Sequence, residues 1–337
     1  MEAPERIDGR GLARVAVGAQ FVLAEELGAT PNVVVDGARL PCTVLSLSHW
    51  PGSGTPDPLR ADTSALIVER YLACDPDGPE VAAVTNNHYD EDGLLGIWLL
   101  LERPPAGAPE RALAVAAAEA GDFGTWTDPW APRVAIAAMA MAERATTPFP
   151  EVGRILATAG GRDPAGQLYR ALLPRTGPLL ADPGRHRLLW GPRWESIQAD
   201  IALLDSGDAT IEDVPAADLA VVRAPRVLDP MALHPRTGRT RILSALPDGT
   251  LTVAHRYETW VDYASRPLPP RVDLTPLAQR LQAREERPGR WLFEGVAAIT
   301  PRLMLAGPGG RPAPSSIGPG RLVEELVAEL SPTGVAG

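Results

Sequence analysis

Residues 81–101 of the 337-residue chain carry the pattern that most limits its fold. Val81-Ala82-Ala83-Val84 follows a Gly-Pro break and has the composition of a short buried strand. A polar run comes next, Asn86-Asn87-His88-Tyr89-Asp90-Glu91-Asp92-Gly93. Leu94 to Leu101 is then apolar on every side, as a buried helix is. A strand, a polar loop and a buried helix in direct succession belong to an α/β protein. The loop then lies at the carboxyl end of the strand, the edge where open parallel sheets bind ligands.

The flanking segments extend this pattern. Val33-Val34-Val35 ends at Asp36-Gly37, and Thr43 to Ser48 ends at His49-Trp50-Pro51-Gly52, so both predict strands. Residues 51–59 are rich in Pro and Gly and predict a loop. Leu66, Ile67, Tyr71 and Leu72 share one face of a helix over Thr63 to Ala73. Arg111 to Ala120 is alanine-rich, a helix or buried strand that ends in a turn at Gly121-Asp122-Phe123-Gly124. Residues 133–145 and 165–207 predict helices, with breaks at Pro174, Pro178 and Pro183. The last third reads differently. Strands are predicted at Leu219–Arg223, Arg241–Ser244, Thr250–Tyr257 and Trp291–Phe293, with a hairpin turn at Pro247-Asp248-Gly249 and a helix over Leu274–Glu286. Residues 306–320, rich in Gly, Pro and Ser, are expected to be mobile. The organisation expected is an α/β domain over 1–210, a parallel sheet flanked by helices with a helical insertion, and a smaller α+β domain over 211–337.

Composition removes several functions. The net charge of −10 repels phosphate backbones, so no extended nucleic-acid partner is expected. All 32 basic residues are arginine, which excludes Schiff-base chemistry, a lysine nucleophile and a P-loop lysine. Cys42 and Cys74 have no metal or redox spacing and are expected as small buried hydrophobes in a reducing, cytoplasmic compartment. Met1 to Arg6 lacks the apolar stretch of a signal peptide, and no run is long enough for a membrane span, so no membrane partner is expected. The sequence carries no signal of oligomeric state.

The chemistry is concentrated in the polar run. In an extended loop, residues i, i+2 and i+4 point the same way, so His88, Asp90 and Asp92 would converge. Two carboxylates and an imidazole suit Mn²⁺, Mg²⁺, Fe²⁺ or Zn²⁺, and Gly93 would let the chain turn tightly into the helix. The plain alternative is that Asp92 caps the helix and the other acids favour its positive end. His49 ends a strand at the same sheet edge, so it is a further ligand or the catalytic acid or base. Asp36 is a similar candidate. Asn87, His255 and Arg256 are candidates for substrate binding, the arginine as an anion clamp. Trp50, Trp126 and Trp130, three of eight tryptophans, lie near the site loops and could stack on a ring.

Val84-Thr85-Asn86-Asn87-His88-Tyr89-Asp90-Glu91-Asp92-Gly93 resembles the first motif of the DHH phosphoesterase superfamily, a strand followed by (Asp/His)-x-Asp-x-Asp-Gly and a helix. The resemblance covers about 15 residues. It implies a DHH-like fold, with His88, Asp90 and Asp92 binding Mn²⁺ ions that activate a water against a phosphodiester or pyrophosphate. Asp122 in Gly121-Asp122-Phe123-Gly124 resembles the second motif, whose aspartate bridges the metals. The Asp-His-His triplet and the Gly-Gly-Gly-His run of that superfamily are absent. The whole chain also resembles an uncharacterised bacterial family, a domain of unknown function that shares the Leu47-Ser48-His49-Trp50-Pro51-Gly52, Asn86–Gly93 and Gly121–Gly124 segments; this likeness implies no reaction. The expectation is therefore a metal-dependent hydrolase of phosphoesterase type acting on a small phosphorylated metabolite or phosphodiester. The alternatives are a non-haem iron or other metal enzyme and a non-catalytic DHH-like binding protein.

Overall fold

The structure is a computed structural model that describes residues 8–160 and 163–330; the signal-peptide expectation at Met1–Arg6 falls outside them. The chain is mixed α/β and divides into two compact units. One runs to Glu195 and takes in Val261–Arg266; the other comprises Ser196–Trp260 and the chain from Pro267 onward.

The first unit is built on β1 (Arg14–Phe21), β2 (Asn32–Val35), β3 (Thr43–Leu47), α1 (Ser64–Leu72), β4 (Glu80–Thr85) and α2 (Glu91–Glu102). Its helices continue with α3 (Pro109–Phe123), α4 (Ala131–Ala142), α5 (Pro150–Thr158), α6 (Ala165–Ala181) and the start of α7 (Arg187–Ser206). The strand order is β1-β4-β2-β3, every pair parallel. Because the strands are parallel, the carboxyl ends of β2, β3 and β4 share one edge. That edge receives Asp36, His49 and the Asn86–Asp92 run. Val33, Val34, Val35, Leu45, Leu47 and Val84 are buried along these strands, and α2 buries Leu94, Leu95, Ile97, Leu99 and Leu100. Such continuous apolar runs are the mark of elements covered on both faces.

The link from β2 to β3 is short for a parallel pair, residues 36–42 only. Parallel neighbours usually need a crossover of about a dozen residues. Seven residues span at most about 23–25 Å extended, enough to run back along a strand of about 16 Å without room for a helix. Asp36 and Cys42 bracket this link in left-handed conformation, φ 51° and 62°. Asp tolerates that region better than most residues because its short side chain can hydrogen-bond locally.

The second unit holds β5 (Thr210–Val214), β6 (Leu219–Arg223), α8 (Pro230–Leu233), β7 (Arg241–Ala245), β8 (Leu251–His255), α9 (Thr275–Gln282), β9 (Arg290–Phe293), β10 (Arg302–Ala306) and α10 (Pro319–Leu330). Its sheet runs β5-β6-β7-β8-β10-β9, with β6 and β7 parallel and the other pairs antiparallel. One face, with Leu219, Val221, Leu243, Val253, Leu303 and Leu305, packs with Leu277, Leu281, Leu322 and Leu326 of α9 and α10. The predicted hairpin turn is present: Gly249 has φ 90° and the Leu246 amide donates to the Thr250 carbonyl at 3.0 Å.

Four expectations change. Pro174 and Pro178 lie inside a continuous α6. Leu168, Tyr169, Leu172, Leu179 and Leu180 bury its length, and that packing outweighs the lost hydrogen bonds. Gly93 is no turn residue. It stands in the first turn of α2, where a Cβ would lie 2.2 Å from the Tyr169 hydroxyl and 2.7 Å from Asn86 Nδ2. Cys42 is exposed and Cys74 half-buried, both free thiols. The 306–320 segment is anchored: Ser315 Oγ and Ser316 Oγ each donate to the Glu285 carboxylate at 2.6 Å, and the Ser316 amide donates at 2.8 Å. Among the described residues no helix is long and apolar enough to cross a membrane.

Two outcomes follow from this packing. Gly93→Ala should destabilise the fold by about 1–3 kcal/mol through overpacking. Gly153→Ala, in α5 with nothing within 4 Å of the added Cβ, should stabilise it by about 0.5–1 kcal/mol. Equal effects in urea unfolding would refute the close-approach account. Partial burial alone would raise the Glu285 pKa, but the serine and amide donors outweigh it and hold the carboxyl at about 2. A depressed carboxyl anchors fully above its unfolded pKa of 4.5 and releases as pH falls toward 2. Amide exchange at Ser316, corrected for intrinsic rates, should therefore rise selectively below about pH 4, and Glu285→Gln should already show the fast exchange at pH 7.

Candidate functional site

His49 is the centre around which the carboxyl edge is arranged. Its Nδ1 lies 2.5 Å from the Asp62 carbonyl oxygen, which can only accept. Nδ1 therefore carries the proton, and Nε2 is turned toward the acids. Asp36 Oδ1 is 3.4 Å from Nε2, Asp92 Oδ2 3.7 Å and Asp122 Oδ2 3.7 Å. A carbonyl that fixes the far nitrogen of an imidazole is the usual outer partner of a metal-bound histidine. Asp36, His49 and Asp92 are buried and offer ligand atoms within 4.8 Å of one another, a group able to hold a metal ion.

Each acid is placed by a different element. Asp36 follows β2 and accepts from Ser64 Oγ at 2.8 Å. Asp92, in the first turn of α2, faces the N-terminus of α1, and its oxygens accept from the Ser64 and Ala65 amides at 2.6 and 2.7 Å. A helix N-terminus is a ready anion site, which explains how this carboxylate is tolerated in the interior. Asp122 comes from the last turn of α3, a helix where the sequence suggested a turn. Asp36 Oδ2 and Asp122 Oδ2 are buried without any hydrogen bond. Buried acceptors without a hydrogen bond are costly, so two at one point call for an explanation.

The run 86–92 is divided between two roles. Asp90, not Asp92, caps α2, accepting from the Gly93 amide at 2.9 Å. His88 Nε2 pairs with Asp90 Oδ2 at 2.9 Å; the His88 side chain is 44% exposed and lies tilted against Trp50, with ring centres 5.4 Å apart. The i, i+2, i+4 convergence assumed an extended chain, but the helix has begun by Glu91. Asp92 thus joins Asp36 and His49, while Asp90 pairs with His88 and also lies close enough to Asp36 to share a hydrogen bond with it. Asn86 braces the loop: its Oδ1 accepts from the His88 amide at 2.9 Å and its Nδ2 donates to Tyr169 Oη at 2.8 Å. Asn87 pairs with the Ala38 backbone, accepting at its amide and donating to its carbonyl, both at 3.3 Å. Glu91 is buried, its carboxyl filling the space left by Gly121, where a Cβ would meet Oε1 at 1.8 Å.

The electrostatics reflect this crowding. Burial, then the charges of Asp90 and Asp92, raises Asp36 to about 7. Burial and Asp90 raise Glu91 to about 8, and burial with four neighbouring acids pushes Asp122 well above the carboxylate range. Burial pulls His49 down, but the Asp36 and Asp92 carboxylates outweigh it and bring the imidazole to about 9. Perturbations of this size cluster at functional sites.

The remaining sequence candidates lie elsewhere. His255 and Arg256 belong to the second unit. Both are buried, and Arg256 pairs with Glu258 at 2.8 Å. Trp126 and Trp130 meet Trp194 and Trp190 edge-on, and Arg133 lies over the rings of Trp130, Trp190 and Trp194. Asp62 and Ser64, which orient His49 and Asp36, carried no sequence signal; their role comes only from where α1 begins.

A family model matches residues 18–333, nearly the whole chain. The chain belongs to the family of unknown function DUF6687. No curated protein and no solved structure matches it. The site must therefore be read from its own geometry.

A group whose folded pKa is raised stabilises the fold below its unfolded value and loses that contribution as pH rises through the folded value. Asp36 goes from 3.8 to about 7, so its burial weakens chelator-treated protein between about pH 4 and 7. Asp36→Asn should raise the melting temperature of chelated protein at pH 8 and leave it nearly unchanged at pH 4. A Tm difference that does not grow with pH would contradict this.

Proposed function

We propose that the chain is a metal-dependent hydrolase of phosphoesterase type, acting on a small phosphorylated metabolite or phosphodiester. One observation carries the reading: His49 Nε2, its tautomer fixed by Asp62, faces three acids, two of which have a buried oxygen without a hydrogen bond. Asp36, His49 and Asp92 would hold the ion and Asp122 would complete the set. Mostly hard oxygen donors with one imidazole suit Mn²⁺ best among the common ions, with Mg²⁺, Fe²⁺ or Zn²⁺ as alternatives. Such an ion supplies Lewis acidity, polarising a phosphoryl oxygen and making water more acidic. His49 is then a ligand in this scheme, and the exposed His88, braced by Asp90, is the imidazole placed to exchange protons with solvent. A facial triad of two histidines and one carboxylate would need His88 beside His49, and its Nε2 is given to Asp90. Of the likeness of 84–93 to the DHH first motif only Asp92 enters the ligand set, so the phosphoesterase class rests mainly on the hard donor set, and the free thiols fit a cytoplasmic enzyme.

Elemental analysis after Mn²⁺ loading and gel filtration tests the ligand set. Asp36→Asn, Asp92→Asn and His49→Gln should each lose most of the retained metal, whereas His88→Ala should keep it. His88→Ala should instead lower Mn²⁺-dependent cleavage of an aryl phosphodiester by about 10²–10⁴-fold, the usual contribution of general acid–base catalysis. Retention of metal by the Asp36 and Asp92 variants, or wild-type cleavage with no dependence on added Mn²⁺, would remove the proposal.

A further inference from the structure

The second unit has an imbalance of the opposite sign. Arg241 on β7 and His255 on β8 stand directly opposite each other in the antiparallel ladder, on the face that also carries Leu243 and Val253. Both are only 3% exposed. Directly opposed residues on one face have Cβ atoms about 4.5–5.5 Å apart, and burial, then the charges of Arg241 and Arg271, pulls the His255 imidazole down to about 3, so it is neutral. Arg241 gives Nη1 to the Ala217 carbonyl at 3.0 Å and Nη2 to the Pro270 carbonyl at 3.3 Å. Its Nε is buried without a partner, as is Nε2 of His255.

No ion pair compensates this charge among the described residues. Arg271 acts on the same imidazole, and its guanidinium donates to Thr259 Oγ1 and to the carbonyls of Val296, Ala298 and Ile299. Neither Arg241 nor Arg271 has an ion-pair partner among the described residues. Asp218 attracts Arg241 at longer range, but its carboxylate is engaged by Thr240 and Arg239. Glu258 is paired with Arg256. The Arg241 guanidinium, without an ion pair, and the imidazole of His255 are thus enclosed at one end of an apolar sheet face, with the half-buried Arg271 close enough to act on the same ring. Buried charge is normally paired, and a donor left unsatisfied there costs about 1–3 kcal/mol.

We propose that this corner binds one compact inorganic anion, which accepts hydrogen bonds from Arg241 Nε and from the Nε2–H of the neutral His255 imidazole. Two N–H donors and one unbalanced charge on buried side chains suit a halide or a single small oxyanion better than an organic ligand. A water could bridge the same two atoms, but it would leave the guanidinium charge unbalanced. The inference is independent of the hydrolase reading, because every residue in it belongs to the second unit.

Imidazole NMR of the whole protein tests it, with His255 assigned by His255→Gln among the five histidines. Chloride and inorganic phosphate are titrated separately, with ionic strength held constant by a bulky organic anion. A saturable shift of the His255 signals is expected in at least one series; chloride alone would identify a halide site and phosphate alone an oxyanion site. Arg241→Gln should weaken that affinity by at least about tenfold, the loss of one charge-assisted hydrogen bond. Unmoved His255 signals in both wild-type series would overturn the proposal even if the arginine variant fails to fold. A saturable shift of equal affinity in a folded Arg241→Gln protein would overturn it too.

Discussion

The first unit depends on a histidine held against several acids at the carboxyl edge of a parallel sheet. Carboxylates resist removal from water, and each one buried beside another raises the cost of ionising both. The fold partly offsets this with fixed donors. Ser64 supplies its hydroxyl to Asp36 and its amide to Asp92, Ala65 supplies a second amide, and the Asp62 carbonyl, accepting from Nδ1, orients His49. All four groups lie in or just before the first turn of α1. The start of that helix therefore serves as the positive wall of the site, and the site's geometry follows from α1 docking beside α2.

What these donors do not satisfy is as informative as what they do. Asp36 Oδ2 and Asp122 Oδ2 remain buried without a hydrogen bond while their neighbours are supplied from backbone and hydroxyl groups. A protein optimised only for stability would replace such acids with neutral residues of similar shape. Retaining them is intelligible if the missing partner is a cation. Close approach is the other cost accepted here. Gly93 and Gly121 leave space for Tyr169, Asn86 and the Glu91 carboxyl, so side chains pack against helix backbone at the site's rim.

The second unit is organised by arginines bound to backbone carbonyls. Arg241 ties the end of β7 to Ala217 and Pro270, and Arg271 gathers the 296–299 turn. A guanidinium suits this work because its planar array of five donors reaches several acceptors at once and stays charged. A chain without lysine thus uses its cations as structural ties, leaving charge that carbonyl dipoles solvate but do not neutralise.

Local sequence determined β2, β3, β4 and β6 to β9, the buried α2, the hairpin at 247–249 and the edge at which Asp36, His49 and the 86–92 run gather, but it did not mark β1, β5 or β10. Each follows from apolar periodicity or from turn residues acting over a few positions. Asp36 and His49 were visible as strand-ending polar residues, and Asp92 and Asp122 as acids in short motifs. Their partnership was not visible, because it depends on where α2 begins. A helix that starts at Glu91 rotates Asp92 away from His88 and turns it toward α1, and only packing against Ser64 and Ala65 decides that start. The same holds for Gly93, whose need for glycine comes from a tyrosine 76 positions away, and for the anchored 306–320 segment, which Glu285 holds. Residue type and spacing supplied the ligand chemistry; tertiary contacts alone chose which of the candidate groups face one another, because long-range packing sets helix starts and side-chain directions that no local pattern encodes.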